Sequence, residues 1–355
     1  MRGGRFVTTL TLLAACTALL LGGCGPSKKR IVILTNGTSP FWDAAKRGAL
    51  DASEEFKLDE AGYEVVVDTN DFKVEGQITK LKGYANSSDV VAVGISVTDA
   101  SNQAIADEMA KLRAAGIKVL AIDSDVAPEH AEKARFAYLG TNNVKGGQEL
   151  GKAAKGLRPQ GGRYAAFVGL KSAANAKERT SGFAEGAGDK FTQGKYLGDM
   201  GDANEARKSV IDALEDPEIT TLVGIWSYNT PAIVDVVGKQ PDPTRFTVVG
   251  FDAEPNAITH MAEGKVHAMV VQNPYEMGYQ GVRLLKALVV DDQETIKEML
   301  PSHGQPGGDI YDTGLKVVVP DEGSPLIKEM FDPKTEFLKL SEFQAWLKKY
   351  NLTGS

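Results

Sequence analysis

The side chains of this sequence with the most chemistry to offer come directly after short apolar runs. The first run leads into Thr35-Asn36-Gly37-Thr38-Ser39-Pro40-Phe41-Trp42, and a later one ends in Asp123-Ser124-Asp125. Arg179 is reached through Lys171 and a helix start. Trp226-Ser227-Tyr228-Asn229, Asp252 and Gln272-Asn273 follow three further runs. Carboxylates, a guanidinium, amides and flat rings are gathered here, with neither a nucleophile–base set nor a metal cage. Such a set suits a polyhydroxyl ring. Each hydroxyl both donates and accepts, so Asp, Asn, Gln and Arg hold adjacent hydroxyls in pairs. The apolar C–H faces of the ring want a flat partner such as Phe41, Trp42 or Trp226. A charge-assisted hydrogen bond nets about 1.5–3 kcal/mol. Four or five, with stacking, exceed the cost of immobilising a small ligand.

Catalytic readings find less. The four histidines, His130, His260, His267 and His303, have no metal-ligand spacing. Gly182–Gly188 reads GxxxGxG rather than a dinucleotide fingerprint, and neither a phosphate-binding GxxxxGK[ST] nor a GxSxG elbow is present. The pair Asp123 and Asp125 leaves glycoside hydrolysis as the remaining enzymatic option. Each candidate ligand residue also has a plainer use. Phe41 and Trp42 could be helix packing, Asp123, Asp252 and Asn229 caps, Arg179 a surface ion pair, and Gln272 a partner for hinge backbone. Asp125 reads as a turn residue.

The elements that must position these residues alternate regularly. Val- and Ile-rich runs at Ile31–Leu34, Glu64–Val67, Val90–Ile95, Lys118–Ile122, Phe136–Leu139, Tyr164–Val168, Thr221–Ile225, Phe246–Phe251 and Ala268–Val271 read as buried parallel strands. Amphipathic stretches at Trp42–Phe56, Val74–Ala85, Asn102–Ala114, Gly147–Lys155, Asn204–Leu214 and Met277–Val289 read as the helices between them. Roughly ten such units exceed one open sheet. A split near Thr141–Val144 gives two doubly wound halves, and the 355 residues are enough for two cores. A closed eight-fold barrel is disfavoured by the unit count. Residues 291–313 lack periodicity and read as a long connection, followed by a strand at Gly314–Val319 and a helix at Leu338–Tyr350.

The N-terminus carries an address. Arg2 and Arg5 precede an apolar run, Phe6 to Leu21, which is interrupted by threonines and short for a stable span. Its ending, Leu21-Gly22-Gly23-Cys24, resembles the lipobox of bacterial lipoproteins. The resemblance implies a signal peptide at 1–23, lipidation of Cys24 and a tether at 24–30. Leu13-Ala14-Ala15-Cys16 is a rival match that would leave Ala18 to Leu21 exposed, and an uncleaved anchor helix is a further alternative. Cys16 and Cys24 are the only cysteines, so the body of the chain has no disulfide and no thiol chemistry. The net charge is −7 for the whole chain, and loss of the two arginines leaves 38 basic against 47 acidic side chains. Such a surface repels nucleic acid.

Three segments in order carry a family likeness: Ser39-Pro40-Phe41-Trp42, Ala176-Lys177-Glu178-Arg179-Thr180-Ser181-Gly182-Phe183, and Val248-Val249-Gly250-Phe251-Asp252. From about Arg30 to Val319 the chain resembles the type I periplasmic sugar-binding proteins of ABC transporters, in the ribose-binding-like branch and in lipoprotein form. The resemblance implies two doubly wound parallel-sheet α/β lobes joined by a three-strand hinge, with crossovers near Thr141–Asn142, Gln272–Asn273 and Asp312–Gly314. The lobes expected are 31–141 with 273–312 and 142–272 with 313–332, followed by a helical tail at 333–355. The family's ligand residues fall on Ser39, Phe41, Trp42, Asp123, Arg179, Asp252 and Gln272. Its second-lobe asparagine falls on Asn229 with one gap, or on Tyr228 without it; Trp226 and Ser124 are secondary candidates. Two departures touch the ligand face. Ser124 stands where ribose binders have arginine, and Gly201 where they have phenylalanine after strand seven. The resemblance implies a monomer and no enzyme, without cofactor, metal or nucleic acid. Its expected partners are a monosaccharide, a transporter permease and the membrane through its lipid. Presentation of the sugar to a chemoreceptor or histidine kinase is the alternative role, and a sugar-modifying extracellular enzyme the remoter one.

Overall fold

The computed structural model describes Met1 and residues 28–355; the leader, Cys16 and Cys24 lie outside the described residues. The chain opens with β1 (Lys29–Thr35), α1 (Pro40–Glu55), β2 (Tyr63–Thr69), α2 (Val74–Ala85), β3 (Val90–Ile95) and α3 (Gln103–Ala114). It continues through β4 (Lys118–Ile122), α4 (Pro128–Ala134), β5 (Tyr138–Gly140), α5 (Asn143–Leu157), β6 (Gly162–Val168) and α6 (Ala174–Ala187). Then come β7 (Phe191–Gly198), α7 (Ala203–Leu214), β8 (Ile219–Gly224), α8 (Asn229–Val237), β9 (Thr247–Phe251), α9 (Pro255–Ala262) and β10 (Ala268–Val271). The last part holds α10 (Pro274–Val289), α11 (Gln293–Met299), β11 (Ile310–Asp312), β12 (Lys316–Val319), β13 (Glu336–Lys339) and α12 (Leu340–Lys349).

Two open sheets result, not a closed barrel. One has six strands in the order β11-β5-β4-β3-β1-β2, the other seven in the order β13-β12-β10-β9-β8-β6-β7. Every pairing is parallel except β10 with β12. Each sheet is covered on both faces by apolar clusters, which is why its central strands read as unbroken Val and Ile runs. Strand order reverses between β1 and β3 in the first sheet and between β6 and β8 in the second. These are the switch points where α/β sheets leave a crevice.

The chain passes between the sheets three times, from β5 to α5, from β10 to α10, and from β11 to β12. Helix α10 returns to the first sheet and packs on α1, while α5 packs on α6. Both helix pairs meet at glycines. A Cβ on Gly278 would collide with the Ala45 carbonyl, and one on Gly147 with the Arg179 carbonyl. Backbones approach closely only because no side chain intervenes. The second contact seats the helix turn that carries Arg179.

Three expectations need correction. Residues 291–313 are not a structureless connection: Asp292 caps the short α11 by accepting from Thr295 N at 3.1 Å, and β11 pairs with β5. Seven residues of helix and three of strand are too short to show a period. The strand β7 is absent from the apolar runs because it is a sheet edge with several exposed side chains. The tail is not helix alone. β13 extends the second sheet beside β12, and α12 packs on α9 and β12. Tyr350, just past α12, reaches the first lobe, its ring 4.4 Å from that of Tyr275. Ser355 then exchanges backbone hydrogen bonds with Ala253, at 3.0 and 2.7 Å.

Candidate functional site

Between the lobes lies a cavity of about 290 Å³. Ser39, Phe41, Trp42, Phe72 and Asp123 line it from the first lobe, and Asn175, Arg179, Trp226, Tyr228, Asp252 and Glu254 from the second. Gln272 lines it from the crossover after β10. Larger concavities exist on single lobes, about 550 Å³ beside Arg113 and His303 and about 650 Å³ beside Lys152 and Met330. Neither collects buried hydrogen-bonding groups, so size does not decide between them.

Each lobe ends an equivalent strand in an aspartate. Asp123 follows β4 and Asp252 follows β9, with φ of +65° and +61°. Aspartate tolerates this left-handed geometry better than most residues, at about 1–3 kcal/mol. Both carboxylates are nearly inaccessible, with 4% and 3% exposure. Neither caps a helix: the N-cap position of α9 is Glu254 and that of α4 is Ala127, neither with a side-chain cap bond. Ser96 Oγ donates to Asp123 Oδ2 at 2.8 Å. Gln272 Nε2 donates to both oxygens of Asp252, at 3.0 and 3.1 Å. Burial pushes the Asp123 carboxyl up to about 6, with Arg179 and Ser96 opposing the shift and Asp252 adding to it. Asp252 is raised for the same first reason, against Arg179 and Gln272.

Arg179 answers both. It is 1% exposed, so it is no surface ion pair. Its Nε donates to Asn143 Oδ1 at 2.9 Å and Nη1 to the Ile225 carbonyl at 3.2 Å, while its Cζ lies 4.4 Å from the Phe251 ring centre. Nη1 stands 3.9 Å from Asp252 Oδ2. Nη2 has no partner, and neither has Gln272 Oε1. A buried guanidinium donor and an amide acceptor left open cost stability unless something in the cavity completes them.

Flat rings form the walls. Phe41 and Trp42 meet edge to face at 5.0 Å, and Trp42 Nε1 donates to Asn36 Oδ1 at 3.0 Å. Both rings are buried in the first-lobe core and also line the cavity, so packing and lining are one arrangement. Trp226 Nε1 donates to Asn175 Oδ1 at 3.2 Å. Ser39 precedes α1 with its side chain free of any cap bond, its carbonyl accepting from Trp42 N at 2.9 Å.

Two candidates stand apart from this constellation. Asn229 is fully buried and does not line the cavity: its Oδ1 accepts from Trp226 N at 2.9 Å and its Nδ2 donates to Asp199 Oδ2 at 2.8 Å. The neighbouring Tyr228 lines the cavity instead, with its hydroxyl donating to Asp199. Ser124 is buried beside Asp123 but outside the lining, with its hydroxyl unpartnered. Asp125 is bound at both oxygens by Arg135, at 2.7 and 2.6 Å, and Arg135 also binds Asp309 at 2.6 Å. It is a brace of the first lobe, so Asp125 does not join Asp123 in the cavity. Among the described residues no group of three His, Cys, Asp or Glu is placed to hold a metal, and no helix is long and apolar enough to cross a membrane.

Sequence reasoning missed Phe72, Ser96, Asn175 and Glu254. Glu254 accepts from Ser227 Oγ at 2.9 Å, and burial raises its carboxyl. Phe72 occupies the region opposite Gly201, where a Cβ would lie 3.7 Å from the Phe72 ring.

Residues 31–293 match the periplasmic binding protein domain family. The chain is 22% identical over 292 residues to the ribose import binding protein RbsB of Salmonella typhimurium, covering 78% of this chain and 90% of that one. A solute-binding protein of an ABC transporter from Burkholderia graminis, solved in complex with D-arabinose, superposes with a TM-score of 0.70 at 24% identity, over 84% of this chain and 97% of that one. The XylFII–LytSN complex superposes with a TM-score of 0.67 at 25% identity, over 75% and 95%. With two α/β lobes, three crossings and a match across most of its length, the chain belongs to the periplasmic binding protein family, in the type I, ribose-binding-like branch.

Proposed function

We propose that this protein is an exported, lipid-anchored receptor that closes its two lobes around one monosaccharide and passes it to an ABC transporter permease. The observation that carries the reading is the open pair of buried groups in the inter-lobe cavity, Arg179 Nη2 and Gln272 Oε1, beside Asp123 and Asp252, whose carboxylates keep acceptor capacity beyond their bonds from Ser96 and Gln272. Arg179 Nη2 donates to a ring hydroxyl, and Asp123 and Asp252 accept from its neighbours. Trp42 and Trp226 cover the C–H faces. The cavity is at the lower end of the usual ~300–1,000 Å³ for ligand sites, which favours a single ring. Ligand groups on both lobes make closure follow from binding, because the hydrogen bonds are complete only when the lobes meet.

The moving bodies we assign are 31–141 with 273–312 and 142–272 with 313–332, with the tail riding on the second. Export and lipidation at Cys24 follow from the leader sequence and suit a family of periplasmic proteins. Likeness to a sugar-binding fold held in a complex with LytSN supports a second reading, in which the loaded protein is presented to a partner other than a permease.

The test is a thermal-shift screen of aldoses, deoxysugars and polyols, with calorimetry on hits and recovery of the sugar afterwards. A raised Tm with the sugar recovered unchanged is expected. Turnover of the sugar, or no response across the panel, overturns the proposal.

A further inference from the structure

The cavity has a floor and a mouth. Asp123, Arg179, Asp252 and Gln272 are almost wholly buried, while Thr38 and Ala203 are exposed and Phe72 and Gly201 partly so. Ser39, Pro40, Tyr228 and Glu254 are partly exposed as well, and the end at Phe72 and Gly201 is one way out for a longer ligand. Phe72 sits there on a short first-lobe loop between β2 and α2, with φ of +61°. This left-handed value is one an aromatic residue seldom adopts, and holding it takes support from its surroundings. The Phe72 amide donates to the Asn36 carbonyl at 2.8 Å. The ring lies against Gly37 so closely that a Cβ at Gly37 would overlap it. From this seat the ring crosses to the second lobe and stacks on Trp226, with centroids 6.3 Å apart and planes 26° apart. Gly201 faces the ring across the cleft, close enough that a Cβ there would touch it at 3.7 Å.

We propose that Phe72 sets the length of ligand this protein accepts. It is a first-lobe ring that spans the cleft to Trp226, shuts the Gly201 end of the cavity and confines the occupant to one sugar ring. The inference rests on the sugar-receptor reading and adds to it a residue whose removal changes selectivity rather than abolishing binding. The floor groups stay in place when Phe72 is removed, so a single-ring sugar keeps its hydrogen bonds and loses one wall contact. A second ring then has a way out.

The experiment compares wild type with Phe72→Gly, which suits the positive φ, and with Phe72→Leu, which keeps apolar bulk at the mouth. Each is titrated by calorimetry with D-ribose, D-arabinose, D-glucose and D-allose as single-ring probes and with maltose, cellobiose and lactose as two-ring probes. An apo melting curve checks each fold. The expected result is that wild type binds a single-ring probe and no two-ring probe. Phe72→Gly loses less than about tenfold on the single ring, the size of one aromatic contact, and gains at least about tenfold on a two-ring probe. Phe72→Leu falls between. Unchanged discrimination in Phe72→Gly, or wild type taking two-ring probes as well as single rings, overturns the role of Phe72 and leaves the receptor reading standing. Wild type binding none of the probes by calorimetry, with no hit in the wider thermal screen, removes the receptor reading and this role with it.

Discussion

Replacing Asp123 with asparagine should stabilise the empty protein while weakening its ligand binding. The side chain is nearly inaccessible, and its carboxyl is pushed up to about 6 by burial. An unfolded aspartate titrates near 3.9, so the native state holds this proton more tightly than the unfolded chain does. The associated stability is complete below about pH 4 and is lost as pH rises through about 6. Ionising Asp123 therefore costs the native state about 3 kcal/mol at pH 7 and roughly half of that at pH 5. Asparagine has nearly the same shape, keeps an acceptor for Ser96 Oγ and never ionises, so it escapes the penalty. Urea melts of apo wild type and Asp123→Asn should differ by about 1–3 kcal/mol in favour of the variant at pH 7.5. The gap should narrow at pH 5. The same variant loses one charge-assisted bond to the ligand, roughly 10- to 150-fold in affinity. A variant less stable than wild type at pH 7.5, or a gap that ignores pH, refutes the reasoning.

Ligand affinity should fall as pH drops through about 6, approaching tenfold per unit below it, because hydroxyl donors need the ionised Asp123. Calorimetry between pH 7.5 and 5 checks this, with Asp123→Asn as the variant whose Asp123 contribution is flat. Arg179→Ala should abolish the sugar response and also destabilise the apo protein by about 3 kcal/mol, since it strips two buried carboxylates of their cation; apo and ligand melting curves report both. Arg135→Ala should cost a similar amount, about 3 kcal/mol, by removing a buried guanidinium that holds both the half-buried Asp125 and Asp309. It should leave ligand selectivity unchanged in the same panel, separating a brace from a contact.

The central strands were legible because two-sided burial writes Val and Ile runs such as Val90–Ile95 directly into the sequence. The edge strands β7, β11 and β13 were not, since a strand that is exposed or three or four residues long carries no such run. The rule that ligand groups follow strands located Asp123, Asp252 and Gln272. Applied to β2, β3 and β7 as well, it also reaches Phe72, Ser96 and Asp199. Spacing could not separate Tyr228 from Asn229. They are neighbours at a helix start, and the choice is made by Asp199, which engages both side chains while only the tyrosine lines the cavity. Nor does sequence announce the left-handed turns that aim Asp123 and Asp252 into one space.

A crystal structure of the protein with its tightest-binding sugar confronts the two-lobe cleft most directly. The sugar should lie between Trp42 and Trp226, with hydroxyl oxygens within about 3.2 Å of Arg179 Nη2 and a free oxygen of Asp123. Density for the sugar in the concavity beside Arg113 and His303, or on one lobe with Arg179 Nη2 still unpartnered, would contradict it.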